Sequence, residues 1–229
     1  MSSKHHLNLS AFAEPLSKEA KYWIGFLLAD GCITHSRNLF PVIALGLKFE
    51  DAVHVKNFAN FVGILEESVK EYRGKNSFGE GHRVLLAFAG KELVPQLAKY
   101  GIVPRKSFTA TVHPDLEQDP DFWRGVVDGD GGMCLREYAP YPYINLCGSK
   151  AVVESFARYL QSFSSRNFAP AVGAYKSIFR TSFGGKAARA AISSIYYDSC
   201  KPVLMRKMAV AEICKAWKSK TELKDARNE

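Results

Sequence analysis

Apolar residues follow two different periodicities along the first half of the chain. In residues 40–50, Ile43, Leu45 and Leu47 recur at every second position, which predicts a half-buried strand. Residues 50–64 instead place their apolar side chains near helical spacing, which predicts a helix. The other predicted elements are a glycine-bearing helix within 22–33, strands over 68–74 and 82–90, and a helix over 91–101.

The second half of the chain repeats the first. The segment YWIGFLLADGCI (22–33) matches FWRGVVDGDGGM (122–133), and later matches keep nearly the same spacing. The matched residues are Trp23 and Trp123, Gly25 and Gly125, Asp30 and Asp130, Gly31 and Gly131, Ala52 and Ala151, Val53 and Val152, Phe58 and Phe156, Ala59 and Ala157, the segments FAGKEL (88–93) and FGGKAA (183–188), and the pairs Arg105-Lys106 and Arg206-Lys207. Each half therefore predicts the same element order, αββαββα.

This repeat predicts an α+β protein whose two pseudo-symmetric halves pack like a dimer fused into one chain. We place the first repeat at residues 1–100, a linker at 101–120, and the second repeat with a C-terminal helix at 121–229. The linker is predicted from its prolines, which are Pro104, Pro114 and Pro120.

Small residues occupy one face of each repeated helix. Gly125 and Gly129 form a G-x-x-x-G pair, and Gly25 and Ala29 hold the same places in the first copy. Such pairs let two helix backbones approach closely. We therefore expect the two helices to pack against one another, with their C-terminal ends side by side.

Each of these helix ends carries an aspartate, Asp30 in one copy and Asp130 in the other. Two carboxylates repel each other, and the negative end of a helix dipole disfavours both. A divalent cation removes these objections, and Mg²⁺ held by paired carboxylates is suited to phosphodiester hydrolysis. The alternative is a glycine-rich turn after a core helix, but the second copy of the motif favours the metal site.

Composition and charge narrow the class of partner. The chain has 229 residues, 47% of them hydrophobic, and a formal charge of +8, which favours an anionic partner such as nucleic acid. No apolar run is long enough for a signal peptide or a membrane span, so we expect a soluble intracellular protein, in a bacterial or phage-host cytoplasm or an organelle. The five cysteines include no C-x-x-C pair, so neither a disulfide framework nor a zinc site is predicted.

The segments WIGFLLADG (23–31) and WRGVVDGDG (123–131) resemble the two signature motifs of LAGLIDADG homing endonucleases in their single-chain form. The resemblance covers nearly the whole chain. It implies that the motif helices form the domain interface and that each half contributes a saddle-shaped antiparallel sheet to the DNA major groove. The implied activity is a Mg²⁺-dependent double-strand break in a long DNA target, with Mn²⁺ able to substitute.

The resemblance also implies roles for particular residues. Asp30 and Asp130 would bind the metal, together with Ala29 and Gly129 before them. One lysine from each half would lie near the scissile phosphates, and a polar residue at the end of each second strand would complete the site through water. These candidates are Lys106 and Lys207, with Arg105 and Arg206 as alternatives, and Glu50 and Ser149.

The two motifs have diverged from one another. Leu28 in the first corresponds to Asp128 in the second, and Arg124 replaces an apolar residue. We therefore expect an asymmetric DNA target.

Outward-facing strand residues are the candidate readers of that target. We align core-facing Leu45 and Leu47 with Ile144 and Leu146, so the opposite strand face presents polar side chains in both halves. Arginine and lysine suit guanine edges, asparagine suits adenine, and tyrosine or serine suits bases or phosphates. The candidates are Lys48, Lys70, Tyr72, Arg83, Arg136, Tyr143, Asn145, Lys176, Arg180 and Ser182.

Two other functions are open on the same scaffold: an RNA maturase that binds intron RNA, which is compatible with cleavage, and a DNA-binding regulator that does not cleave. Loss of either motif acid would favour a maturase or regulator that does not cleave, whereas this chain keeps both acids. An intein-embedded domain is disfavoured because the chain begins at Met1 and lacks a terminal His-Asn pair with a following nucleophile. We expect a monomer. The basic segment 201–229 predicts a flanking helix, either solvated or against DNA phosphates.

Overall fold

The computed structural model describes residues 6–36, 40–76, 79–136, 140–219 and 221–222. Within these ranges, no helix combines the length and the apolar character that crossing a membrane requires. The last part of the predicted C-terminal helix, residues 223–229, lies outside the described residues.

The first half has the predicted order αββαββα. Its elements are α1 (Lys18–Ala29), β1 (Gly31–His35), β2 (Pro41–Lys48), α2 (Ala52–Phe61), β3 (Lys70–Asn76), β4 (Gly79–Ala89) and α3 (Val94–Lys99). The four strands form one antiparallel sheet in the order β1-β2-β4-β3.

The second half repeats this order and adds a helix. Its elements are α4 (Pro120–Asp130), β5 (Gly131–Leu135), β6 (Pro142–Gly148), α5 (Lys150–Gln161), β7 (Val172–Tyr175), β8 (Ile178–Gly184), α6 (Gly185–Ile195) and α7 (Met205–Ala216). The sheet order β5-β6-β8-β7 matches the first sheet strand for strand. The predicted α+β fold with two repeats is therefore confirmed.

Capping side chains begin both central helices. The Ser17 hydroxyl accepts a hydrogen bond from the Ala20 amide at 3.0 Å, and the Asp119 carboxylate accepts from the amides of Asp121 and Phe122. These are the orphan donors of a helix N-terminus, which serine and aspartate satisfy well. Lys21 of α1 also pairs with Asp119 at 2.7 Å, so the cap of α4 is tied to the other half.

The two central helices touch at backbone distance. A β-carbon on Gly25 would lie 2.1 Å from the carbonyl oxygen of Phe122, and one on Gly125 would lie 2.0 Å from that of Tyr22. Only glycine leaves room for this approach. The predicted interface of two helices therefore exists, and it brings the ends of α1 and α4 together.

Aromatic side chains join each central helix to the outer helix of its own half. Trp23 packs on Phe58 with ring centroids 5.0 Å apart, and Trp123 packs on Phe156 at 4.9 Å. All four side chains are fully buried. The pseudo-symmetry seen in the sequence thus extends to the packing of the core.

The strand register corrects one part of the sequence alignment. Leu45 pairs with Gly31 and Leu146 pairs with Gly131, so Leu45 corresponds to Leu146 rather than to Ile144. The cause is a 3₁₀ turn, Phe49–Asp51, that lies between β2 and α2, where the second half has a single residue. The turn shifts the strand alignment relative to the helix alignment.

The segment predicted as a linker is packed into the structure. It contains the 3₁₀ turns Lys106–Phe108 and Pro114–Leu116. Ile102 and Leu116 are buried in the core, each 1% exposed. The buried apolar side chains of Ile102 and Leu116 therefore attach this segment to the core.

We predict that Gly125→Ala lowers the free energy of unfolding by about 2 kcal/mol or more, because the new methyl group forces α1 and α4 apart and outweighs the better helix propensity of alanine. Urea denaturation measures the change. Gly74→Ala is the matched control, since a β-carbon at Gly74 meets nothing within 4 Å. An equal stability for both variants would contradict the close contact.

Candidate active site

The two motif aspartates converge at the ends of the central helices. Asp30 caps α1, and Asp130 is the last residue of α4. A β-carbon on Gly129 would lie 3.4 Å from Oδ2 of Asp30 and 2.5 Å from the β-carbon of Ala29. The carboxylate of Asp30 therefore lies beside the backbone next to Asp130, and both side chains remain in contact with solvent.

Both carboxyl groups have a raised pKa. Partial desolvation raises the pKa of Asp30, while Lys106, Lys207 and Arg206 oppose the shift. Desolvation, and then the charge of Asp30, raise the pKa of Asp130 to about 6, again against the two lysines. The charge of Asp30 therefore acts on the Asp130 carboxyl group.

A lysine from each half is directed to a motif-helix end. The Nζ atom of Lys106 donates to the carbonyl oxygens of Gly31 at 2.7 Å and Ala29 at 3.4 Å. Lys207 Nζ donates to the carbonyl oxygens of Gly131 and Val127. Partial burial lowers the pKa of both lysines, and the nearby aspartates oppose the shift. The lysines thus reduce the negative potential at the paired aspartates.

The predicted alternatives to the lysines, Arg105 and Arg206, have different environments. Arg105 is exposed, with a left-handed backbone at φ 59°. Arg206 crosses to the other half and donates from Nε to the Asp51 carboxylate at 3.0 Å. The equivalent positions are therefore asymmetric.

Asp30 lines a cavity of about 360 Å³ on the first half, together with Asp51, Arg206, Lys48 and Arg83. Glu50 was the sequence candidate here, but it is exposed and does not line this cavity. The 3₁₀ turn directs its neighbour Asp51 to the site instead, and the Asp51 side chain is 9% exposed. The 3₁₀ turn delays the start of α2. The pattern of apolar residues did not show this delay, so it indicated Glu50 instead of Asp51.

Asp130 lines a second cavity of about 250 Å³, in which Ser149, Ala29, Ser107 and Ala110 also lie. The Ser149 hydroxyl is already engaged, since it donates to the Ala110 carbonyl at 2.6 Å and caps α5 by accepting from the Val152 amide. Ser149 is therefore at the predicted place, but it anchors the segment that follows Lys106.

The described residues contain no cluster of three or more His, Cys, Asp or Glu side chains that could hold a metal ion. Asp30 and Asp130 could supply two carboxylates, and the backbone oxygens of Ala29 and Gly129 lie on the same helix ends. Magnesium commonly takes one or two protein carboxylates and completes its shell with water and substrate phosphate. The donor set fits such a site.

The outer face of the first sheet carries all four of its predicted DNA contacts. Lys48, Arg83 and Tyr72 are neighbours across three strands, and the Arg83 guanidinium lies 5.7 Å from the Tyr72 ring centroid. Lys70 pairs with Leu85, two residues further along the same face. This face leads into the cavity that contains Asp30.

The second sheet also has a polar outer face. Asn145 pairs with both Gly132 and Ser182, and its side-chain amide donates to the Gly132 carbonyl at 3.3 Å. Lys176 is exposed at the turn between β7 and β8. Asn145 is half-buried, and its amide is committed in part to the backbone.

Tyr143 differs from the expected base reader. It is only 9% exposed, and its hydroxyl accepts a hydrogen bond from Arg180 at 2.9 Å. The Arg136 guanidinium lies 4.3 Å from the Tyr143 ring centroid. Tyr143 therefore supports two arginines, and the exposed Arg136 and the half-buried Arg180 form the part of this group available to a ligand.

A buried polar network surrounds Arg124 on α4 and was not predicted from the sequence. Arg124 is completely buried, pairs with Asp121 at 2.8 Å, and donates to the carbonyls of Ile195, Lys201 and Pro202. The signal was present in the second motif, where Arg124 and Asp128 stand at positions that are apolar in the first motif. Except for Asp121, the partners of Arg124 and Asp128 are distant in sequence, so the pattern alone could not identify them.

We predict opposite pKa shifts of Asp130 in two variants of the metal-free protein. Lys106→Met raises the pKa further above about 6, because the ammonium group lowers it, whereas Asp30→Asn lowers it by removing a like charge. Carboxyl ¹³C NMR titration measures both. Lys99→Met, at the exposed end of α3, is the control, and an unmoved pKa in both variants would contradict this geometry.

Solved structures with a similar fold include homing endonucleases. The homing endonuclease I-WcaI bound to its DNA recognition sequence is 17% identical, with 87% of each chain covered and a TM-score of 0.59. The LAGLIDADG meganuclease I-CpaMI bound to uncleaved DNA is 12% identical, covering 85% of this chain and 90% of its own, with a TM-score of 0.54. The meganuclease I-SmaMI bound to uncleavable DNA is 11% identical, with 87% and 88% covered and a TM-score of 0.52.

No protein-family model and no curated protein matches the sequence. The similarity is therefore one of fold, and it extends over both repeats. Together with the paired helices and the two matching sheets, it establishes that this chain has the fold of the LAGLIDADG homing endonucleases.

Proposed function

We propose that this protein is a site-specific DNA endonuclease that requires Mg²⁺, with Mn²⁺ able to substitute, and cuts both strands of a long target. The observation that carries the proposal is the convergence of Asp30 and Asp130 beside Lys106 and Lys207. A protein that only bound DNA would have no need to keep two mutually repelling acids at one point.

A divalent cation fits the chemistry of this pair. Two acids with raised pKa, at the negative ends of two helices, form a site whose repulsion a cation would relieve. Asp30 and Asp130 would hold the ion, with the backbone at Ala29 and Gly129 close enough to contribute. When bound, Mg²⁺ supplies an acidic water and neutralises the charge that develops on a phosphodiester.

The lysines suit the same substrate. Each ammonium group has three N–H donors, and two backbone acceptors are present for each lysine among the described residues. One donor on each side therefore remains for a phosphate oxygen. Because the backbone acceptors fix the ammonium groups at the helix ends, their charge is in place before the substrate arrives.

Double-stranded DNA is the partner that the outer faces favour. The row of Lys48, Arg83 and Tyr72 on one sheet and the group of Arg136 and Arg180 on the other offer cationic and aromatic contacts. Lys48 and Arg83 line the same cavity as Asp30. The structures of similar fold contain DNA. We expect a monomer, because one chain supplies both halves of the site, and intron RNA is an additional candidate partner.

We predict that Asp30→Asn and Asp130→Asn each abolish double-strand cleavage while leaving the fold and DNA binding largely intact. The test incubates each protein with a complex library of double-stranded DNA in Mg²⁺ and sequences the new ends. The native protein should give recurrent ends with short 3′ overhangs at one long motif. Asp198→Asn, an exposed acid away from the site, should cleave normally.

Two outcomes would contradict this function. Full activity in either motif variant would remove the aspartates from the mechanism. Binding of the native protein to a selected DNA sequence without new ends would favour a regulator on the same scaffold.

A further inference from the structure

The second motif contains an acid that the first motif lacks. Asp128 is fully buried, and its carboxylate accepts hydrogen bonds from the Tyr22 and Tyr196 hydroxyls, both at 2.7 Å, and from the Leu204 amide at 2.8 Å. Leu28 holds the equivalent position in α1 and is buried among apolar residues. Helix packing alone therefore does not require an acid at this position.

The Leu204 amide connects this acid to the active site. Leu204 directly precedes α7, and its own side chain does not cap that helix start. Lys207 lies in the first turn, and its Nζ atom reaches the Val127 and Gly131 carbonyls on either side of Asp128 and Asp130. The first turn of α7 is thus fixed to the end of α4 at two points, one through Asp128 and one through Lys207 itself.

The network extends into the other half of the molecule. Tyr22 comes from α1, and its oxygen lies 2.8 Å from Nε2 of His54 on α2. Burial lowers the pKa of His54 to about 4, so the ring is neutral near pH 7. Since the one hydroxyl proton of Tyr22 goes to Asp128, the Nε2–H of His54 donates to Tyr22. Donors from both halves therefore converge on one carboxylate.

The other active-site lysine is held by different contacts. Lys106 begins a short 3₁₀ turn, and the amides of Thr109 and Ala110 donate to its carbonyl. The Ala110 carbonyl then accepts from Ser149 of the second half. The residue that corresponds to Asp128 is Leu28, whose apolar side chain cannot accept a hydrogen bond from this segment.

We propose that Asp128, held by Tyr22 and Tyr196, is a positioning residue for Lys207, so that damage to this network slows cleavage of one DNA strand more than the other. The inference rests on the proposed endonuclease function. Asp128 itself does not contact the substrate. Its effect passes through the Leu204 amide to the first turn of α7.

The test measures single-turnover rates for each strand of the cleaved target. Lys207→Met and Lys106→Met first identify which strand depends on each lysine. Tyr196→Phe and Tyr22→Phe each remove one donor to Asp128 and keep the ring, and Asp128→Asn keeps the shape of the acid. Each should slow the strand that depends on Lys207 by about tenfold relative to the other strand, the scale seen when residues that orient a reacting group are lost.

Two controls separate positioning from a general loss of stability. Tyr159→Phe removes a buried hydroxyl that bonds Ser194 and does not contact Asp128, so it should leave the strand ratio unchanged. In a Lys207→Met background, Tyr196→Phe should change the ratio no further. Equal slowing of both strands, or an added effect in that background, would overturn the proposal.

A second measurement needs no catalysis. Hydrogen exchange of the free protein should show that Tyr196→Phe speeds exchange at the amides of Leu204, Lys207 and Met208, while Thr109 and Ala110 near Lys106 keep their protection. Unchanged exchange at all five amides would overturn the proposal even if the native protein cuts no DNA. Absence of cleavage in the native protein, with the exchange result as expected, would instead contradict only the endonuclease function.

Discussion

The rest of this structure depends on one contact, the approach of α1 and α4 to backbone distance at Gly25 and Gly125. Glycine at these places removes the side chains that would keep two helices apart, so the helices run together and end together. The candidate site is built where the C-terminal ends of these two helices lie side by side. The sheets begin directly after the helices, which places their outer faces on the same side as the two aspartates.

The same contact creates an electrostatic problem at its end. Asp30 and Asp130 meet where both helix dipoles are negative. Desolvation raises the pKa of both acids, and the charge of Asp30 raises that of Asp130 further. Lys106 and Lys207 oppose these shifts, but they are themselves partly desolvated and bonded to backbone carbonyls. A site built in this way is favourable for a cation and for an anionic substrate that the lysines can contact. The same charged groups therefore determine both the stability of the site and its chemistry.

Local sterics explain what could be predicted from the sequence. The glycine stripe, the aspartates after it and the alternating strands depend on neighbours a few residues apart, so a repeated pattern was enough to find them. The position of Asp51 rather than Glu50 at the cavity was not predictable in this way. A three-residue 3₁₀ turn shifts the start of the helix relative to the end of the strand. The burial of Lys106 was hidden in a segment whose prolines indicated only a linker.

Contacts between residues that are distant in sequence were also not predictable. Asp128 and Arg124 were visible as departures from the first motif, yet their meaning depends on Tyr22, Tyr196 and the segment before α7, which the fold alone brings together. Tyr143 was assigned correctly to the outer strand face, but its burial beneath two arginines depends on packing across β8. Periodicity identifies the face of an element, whereas the depth of a side chain on that face depends on neighbours that the pattern does not name.

Metal binding by Asp30 and Asp130 is tested most directly by crystallography of the protein with its DNA target in Mn²⁺, using anomalous scattering to locate the metal. We expect anomalous density within about 2.5 Å of the carboxylate oxygens of both Asp30 and Asp130, next to a phosphate of the bound DNA. Density that contacts neither aspartate, or a DNA complex whose helix ends hold no metal at saturating Mn²⁺, would contradict it.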